Sequence, residues 1–498
     1  MIYTITTTLP PVHGGRTKSL LSRVKLLEEE LNVSNTIITT NYNANYLDVY
    51  NKFVNENKAS HKTNYENIYD WLSGFNLLVK PKSKFFNKYR FIKTPHEIVG
   101  LRKEVIKEKN VVRYYDDNDT YVLYRKYHKD SQVLEFEDFM SPASKKKVER
   151  WEYNKYGILH RKNYYSPKTH KRVLEELFDK DGKIYCKKLF EDNDKNRIIL
   201  IQTYKNNRHH KSFKNEKDFF QYYYENRFKD NDIVFCDARL LDAPLLKQSN
   251  KTKNILVFHS SHLDNRKIKS SYKFALEQSD KVSKYLLLTH KQMQDIRNEI
   301  NIDREKFSII PHFIKDLKKE TKNLSIDDRF IFLGRISPEK QIDHIIYAYK
   351  KFIDLGYKTR LDIYGKDEKN TKDKLVNLIS QLNLENKITF YDYTDSPLEE
   401  FEKSKASFLT SEFEGFGLTL MESIEMGCPV ISYDTKYGPS EIISNGKNGY
   451  LIKQNDVNAL TECMVDIIEN PLKEVKTKKE LTFDSAIKNY SNLLKNLN

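Results

Sequence analysis

Cysteine is scarce: four residues in 498, Cys186, Cys236, Cys428 and Cys463, with no two at a metal-ligand spacing. That excludes a disulfide-stapled scaffold and a structural zinc site, and it points to a reducing cytosol. No stretch approaches the ~18 consecutive apolar residues of a membrane-spanning helix. Residues 1–9 are β-branched and threonine-rich, without a basic start and a long apolar core, so no secretion signal is expected there. The expectation is a soluble, cytoplasmic protein, at most peripheral at the inner face of a membrane. No Asp-x-Asp closes a strand of the βα pattern described below, so no metal-binding carboxylate pair is expected.

What is present is aromatic and basic. There are 33 Tyr and 27 Phe, and 39% of residues are hydrophobic, which argues against disorder and for two or three globular domains in a chain of this length. The net charge is +15. A basic surface favours polyanions, whether nucleic acid, anionic lipid headgroups or a phosphate polymer. The lysine bias of an AT-rich genome would give the same balance. Ten Lys or Arg fall between Lys80 and Lys109, interleaved with Phe85, Phe86, Tyr89 and Phe91. This reads as a docking surface for an anionic polymer, nucleic acid or a membrane, or simply as a solvated face.

The most informative stretch is residues 407–443, SFLTSEFEGFGLTLMESIEMGCPVISYDTKYGPSEII. Phe408 and Leu409 read as a buried strand, Gly415 and Gly417 as a loop, and 418–426 as a helix stopped by Gly427 and Pro429. Residues 430–433 read as the next strand, completing a unit of a parallel α/β sheet. The glycines allow a ligand close to backbone N–H groups, and the helix N-terminus adds a partial positive charge, which suits a phosphate. Glu414 and Glu422 flank the loop. Beside an anion site, carboxylates are better placed to accept hydrogen bonds from sugar hydroxyls. An ordinary crossover with solvated glutamates would share the pattern.

The chain opens in the same style, with a strand at 2–8, a loop holding Gly14 and Gly15, and a helix at 16–31. Between residues 110 and 205 the rhythm changes. RYYDDNDTYVLYRKY, EYNKYGILHRKNYY and LFDKDGKIYCKKLF each place two strand-like runs around an Asn, Asp or Gly turn. Successive hairpins imply an antiparallel meander inserted into the first domain, whose open edges self-association would cover. Strands at 232–236, 254–258, 285–289 and 307–310 then restore the βα pattern, ending at residues that include Asp237 and His259. Strand ends are where such sheets hold ligands. A lone histidine there is commonly structural, so His259, and more weakly His262, are candidates only. After a linker at 311–324, a strand at 329–333 leads into GRISPEK, where Arg335 and Lys340 offer a fork and a point charge for a diphosphate. Further strands fall at 361–364 and 388–391.

Glu-x7-Glu enclosing Gly-Phe-Gly, with Gly-Arg-x4-Lys upstream and Tyr437-Gly438-Pro439-Ser440 and Asn448-Gly449-Tyr450 downstream, resembles the signature of retaining glycosyltransferases of GT-B architecture, family 4. More narrowly it is similar to the wall teichoic acid α-glycosyltransferases of Gram-positive bacteria. The resemblance implies an α/β GT-B fold, with two Rossmann-like domains facing a cleft and a β-rich antiparallel insertion. The boundaries expected are 1–77 and 213–315 for the first domain, 78–212 for the insertion, 316–475 for the nucleotide-sugar domain and 476–498 for a helix packing back on the first domain. It implies that Arg335 and Lys340 clamp the diphosphate in place of a metal ion, and that Glu422 binds the ribose and Glu414 the donor sugar. Gly15 would lie over the donor, His259 would contact the transferring centre, and Tyr391, Tyr393 and Thr394 would sit at the base. Gly417 and Leu418 would offer backbone N–H groups. The implied reaction moves α-glucose from UDP-glucose to poly(glycerol phosphate), with a trimer formed through the insertion and no nucleic acid partner. Sister activities use UDP-N-acetylglucosamine with poly(ribitol phosphate) or a serine-rich adhesin. Phe416 and Ser261 depart from relatives and leave donor and acceptor open.

Two other classes compete. A glycosidase also uses two carboxylates but has no need of Arg335, Lys340 and a phosphate loop. A binding protein for an anionic polymer fits the charge but leaves the glycine loops and paired glutamates without a use.

Overall fold

The computed structural model describes residues 1–74, 91–264, 267–315 and 325–497. Residues 80–90 of the aromatic basic stretch, and 316–324 of the linker, lie outside the described residues. The chain divides into two compact units, Met1–Asn254 and Ile255–Asn498.

In the first unit the strand Ile2–Thr6 lies parallel between Asn35–Thr39 and Ile233–Cys236, and Asn64–Asn67 extends the sheet beyond Asn35–Thr39. The helix Gly15–Glu29 buries Leu20, Leu21, Val24 and Leu27 at helical spacing. The first three pack with Ile37, Tyr46, Val49, Tyr50 and Phe53 from the next strand and helix. Asp237, just past its strand, accepts from Arg23 of that first helix at 3.1 and 2.5 Å. Both side chains are almost fully buried, and the guanidinium stacks 4.8 Å from the Phe235 ring. Sequence reasoning marked Asp237 only as a strand end, because its partner lies 214 residues away.

The insertion is a single antiparallel sheet of ten strands running from Arg102–Ile106 to Arg208–Phe213, each paired with the next in sequence. The three expected hairpins are present as Val111–Tyr115 with Tyr121–Tyr127, Lys147–Tyr153 with Leu159–Tyr165, and Arg172–Phe178 with Ile184–Phe190. Turns between them use left-handed Asn110, Asp119, Asp130, Gly182 and Asn196, residue types that tolerate this conformation. The strand Leu134–Met140, LEFEDFM, carries three acidic residues and so is faint as a sequence signal. Its acids are matched across the strands, with Arg125 on Glu137 at 3.0 Å and Arg150 on Asp138 at 2.6 Å. The outermost strands, RKEVI and RHHKSF, are exposed and charged, which discourages indiscriminate edge pairing.

The second unit begins with parallel strands Lys284–Leu287 and Phe307–Ile309, the former pairing with Ile255, Leu256 and Val257. Its main sheet has six parallel strands, in the order Ile388–Tyr391, Arg360–Tyr364, Arg329–Leu333, Ala406–Leu409, Val430–Tyr433 and Gly449–Ile452. The helix Ile342–Asp354 places Ile342, Ile345, Ile346, Tyr349 and Phe352 on one face and buries it against Phe330, Ile363 and Met464. Sequence order reverses between Arg329–Leu333 and Ala406–Leu409. In an open α/β sheet, the carboxyl ends of two such strands frame the crevice that holds a ligand. The C-terminal helix Phe483–Lys495 packs Phe483 and Tyr490 on Phe313 at 5.6 and 6.5 Å between ring centroids.

Candidate functional site

The loops leaving those two strands carry the candidate residues. After Leu333 the chain passes Gly334 and Arg335 and makes a single 3-10 turn, Pro338–Lys340. After Leu409 it runs through Thr410–Gly417 into the helix Leu418–Glu425. The two loops are stitched together. Thr410 donates its hydroxyl to the Lys340 carbonyl at 2.8 Å, and Glu412 N donates to the Glu339 carbonyl at 2.8 Å. Lys340 and Glu414 meet directly: Lys340 Nζ lies 2.5 Å from Glu414 Oε1, and Ser411 donates to the same oxygen at 2.7 Å. Both side chains are largely shielded, 18% and 15% exposed.

Arg335 takes a different position. It is 56% exposed and donates to Glu368 at 2.6 Å, with Glu339 at 3.2 Å. The cations singled out as one clamp are therefore held by different carboxylates, one inside the crevice and one at its rim. Glu368 and Glu339 carried no sequence signal, since their role depends on the neighbouring loop.

Gly417 caps the helix at φ +100°, a conformation natural to glycine alone, and Glu422 is buried in its second turn. Gly415 has a different reason to lack a side chain. A Cβ there would stand 2.1 Å from the carbonyl oxygen of His259. The loop is thus pressed onto the backbone at the end of Lys253–Val257, bringing His259 beside it. The His259 ring faces His312 at 6.0 Å, and His312 meets Phe416 edge-on at 5.3 Å. Sequence reasoning missed His312. The only signal was its place directly after the strand Phe307–Ile309 and Pro311.

His262 is fully buried and stacks on Tyr437 at 6.0 Å and 13°. Neither ring nitrogen has a hydrogen-bond partner among the described residues. Burial pushes its pKa down to about 4, so the ring is neutral. A neutral ring without a bound donor is suited to packing rather than proton transfer.

Tyr391 ends its strand with its ring stacked on Tyr364 at 4.4 Å, and Tyr393 and Thr394 follow in the exposed loop to Pro397. Gly15 stands in the first unit as the first residue of its helix. Among the described residues there is no cluster of three or more His, Cys, Asp or Glu suited to a metal ion. No helix among them is long and apolar enough to cross a membrane.

A largely shielded Lys–Glu pair at the switch point of a parallel sheet, with a glycine-capped helix and the buried Glu422 on that helix, fits a sugar-nucleotide site. Residues 314–482 match the model of the glycosyl transferases group 1 family. The chain is 26% identical over 483 residues to the poly(glycerol-phosphate) alpha-glucosyltransferase of Bacillus subtilis, covering 94% of this chain and 70% of that one. It is 26% identical over 475 residues to the poly(ribitol-phosphate) alpha-N-acetylglucosaminyltransferase of Staphylococcus aureus, covering 92% and 90%. Its structure superposes with a TM-score of 0.82, at 23% identity and over 99% of both chains, on a variant of S. aureus TarM in complex with fondaparinux, alpha-GlcNAc-glycerol and UDP. The fold is therefore GT-B, and residues 314–482 form a group 1 glycosyltransferase domain.

Proposed function

We propose that the protein transfers α-glucose from UDP-glucose to the hydroxyls of poly(glycerol phosphate) wall teichoic acid, with retention of anomeric configuration. The observation that carries this reading is the Lys340–Glu414 pair at the switch point. Lys340 and Arg335 neutralise the charge that develops on the departing diphosphate, the role a metal ion would otherwise fill. Glu414, held by Lys340, accepts from a donor-sugar hydroxyl and orients the ring, while Glu422 binds the ribose. N–H groups at Gly417 and Leu418 add to the anion site. His259 contacts the donor sugar, and the backbone from Tyr391 to Thr394 receives the base. No side chain need act as nucleophile: the acceptor hydroxyl attacks the face from which diphosphate leaves, and the leaving phosphate takes its proton. The insertion serves self-association, as a trimer, and presents the anionic acceptor. The enzyme works in the cytoplasm, in peripheral contact with the inner face of the membrane.

The equal identity to two relatives supports a sister reading, transfer of N-acetylglucosamine to poly(ribitol phosphate). UDP release is measured with both UDP-sugars against both polymers. Turnover confined to UDP-glucose with the glycerol polymer supports the first reading. Turnover with another pair moves the protein to the sister activity. Release with no pair overturns both.

A further inference from the structure

One residue supports Glu414 from a distance without belonging to its loop. Asp295 lies on the helix His290–Glu299 with its side chain 12% exposed. It accepts from Lys436 Nζ at 2.7 Å and from the Tyr437 hydroxyl at 2.8 Å. Lys291, one helical turn back, adds a cation at 3.8 Å. Burial alone would raise the Asp295 carboxyl, but the hydrogen bonds from Lys436 and Tyr437 outweigh it and hold it below its ordinary value. It is therefore a charged acceptor at neutral pH, with Oδ2 taking both hydrogen bonds.

Lys436 and Tyr437 hold Glu414 by its backbone. Glu414 N donates to the Lys436 carbonyl at 2.9 Å, and Tyr437 N donates back to the Glu414 carbonyl at 2.9 Å. The next residues are pressed together as well, since a Cβ on Gly438 would meet the Phe416 carbonyl oxygen at 1.7 Å. Tyr437 is 1% exposed, its ring closed by His262 on one side. A second tie fixes the same two elements. The Glu441 carboxylate receives His290 N at 3.1 Å and Lys291 N at 3.0 Å at the start of the Asp295 helix. Segment 436–441 is thus locked to that helix at two points, and Glu414 is locked to the segment. Catalytic groups need such support, because a displacement of about 1 Å can cost ~100-fold in rate.

We propose that Asp295 is a positioning residue for transfer: by anchoring Lys436 and Tyr437 it fixes the Glu414 carboxylate against Lys340 and against the donor sugar. This rests on the role of Glu414 proposed above. Asp295 acts on Glu414 through Lys436 and Tyr437, so its loss should spare the nucleotide and slow the sugar step.

The test uses the full chain, with steady-state UDP release from UDP-glucose onto poly(glycerol phosphate) and UDP affinity by calorimetry. Asp295→Ala is expected to lower kcat about 10- to 100-fold. The Kd for UDP should stay within about threefold of wild type, because UDP lacks the glucosyl group that Glu414 orients. Asp295→Asn, which keeps an acceptor oxygen, should fall between. Combined with Glu414→Gln, Asp295→Ala should add no further loss, because both changes act through one carboxylate. If Asp295→Ala does not fold, Tyr437→Phe and Lys436→Met remove the same bonds from the other side, and their kcat loss must likewise vanish in the Glu414→Gln background. Near-wild-type kcat in these variants, or losses that multiply with Glu414→Gln, overturns the inference while the reading of the site stands. Full activity of Glu414→Gln alone overturns both.

Discussion

Replacing Lys340 with alanine separates stability from chemistry. The ammonium makes its main contact with Glu414 at 2.5 Å and a longer one with Ser411 at 3.3 Å. A charge-assisted hydrogen bond contributes about 1.5–3 kcal/mol when lost from a shielded site. Here the loss is softened, because Ser411 still donates to Glu414 at 2.7 Å and the carboxylate is 15% exposed to water. A stability cost of about 1–2 kcal/mol follows, and at roughly 2–4 °C per kcal/mol for a unit of this size the Tm should fall by no more than about 8 °C. The chemical cost is larger. A positioned group facing charge that develops only in the transition state typically contributes a factor of ~100 to ~1,000, or about 2.7–4 kcal/mol. UDP release by Lys340→Ala should therefore drop at least 100-fold at a temperature where circular dichroism shows the variant folded. Lys350→Ala, which removes an exposed helix pair with Asp354, is the control and should leave both quantities unchanged. Release by Lys340→Ala within about threefold of wild type would refute the assignment of this cation to the leaving group.

Three other perturbations test the surrounding structure. His262 titrates near 6.5 when unfolded and near 4 in the fold, mainly through burial; Asp295 favours its charged form, and Lys436 and Lys269 oppose it. The unfolded chain then binds more protons below pH 6.5, so stability should fall as pH drops, by up to about 2 kcal/mol between pH 7 and pH 5. His262→Phe should flatten that dependence in urea unfolding, and an unchanged slope would contradict the burial argument. Gly415→Ala forces a methyl against the His259 carbonyl and should cost about 1–3 kcal/mol together with most of the transfer activity; an unchanged Tm would show that the two backbones are not in contact. Asp237→Ala strips the buried Arg23 guanidinium of its carboxylate and should destabilise the first unit by about 3–5 kcal/mol in denaturant titration, whereas a loss under 1 kcal/mol would mean the pair is solvated.

The sequence made local structure legible wherever spacing and turn chemistry agree. The unit at 407–443 is Ala406–Leu409, Leu418–Glu425 and Val430–Tyr433, within a residue or two of its expected limits, because glycine and proline punctuate two short apolar runs. The three hairpins were visible through Asn, Asp and Gly turns, but the full ten-stranded sheet was not. Strands such as LEFEDFM are satisfied by cations on neighbouring strands, a pattern no single segment reveals. At the candidate site, the motif spacing singled out Lys340, Glu414 and Glu422. It said nothing of Asp295, which reaches Tyr437 across 142 residues, nor of Glu368, which holds Arg335 through a loop from the adjacent strand. Those partners are chosen by the order of strands in the sheet, a property of topology rather than of local sequence.

On the proposed reading, these residues carry out sugar transfer to a phosphate polymer. It is tested most directly by following labelled glucose from UDP-glucose into purified poly(glycerol phosphate), with wild-type protein and with Glu414→Ala. Wild-type protein should place label in the polymer, equal in amount to the UDP released, and the variant none above background. Free glucose in place of labelled polymer, or equal labelling by both proteins, would contradict it.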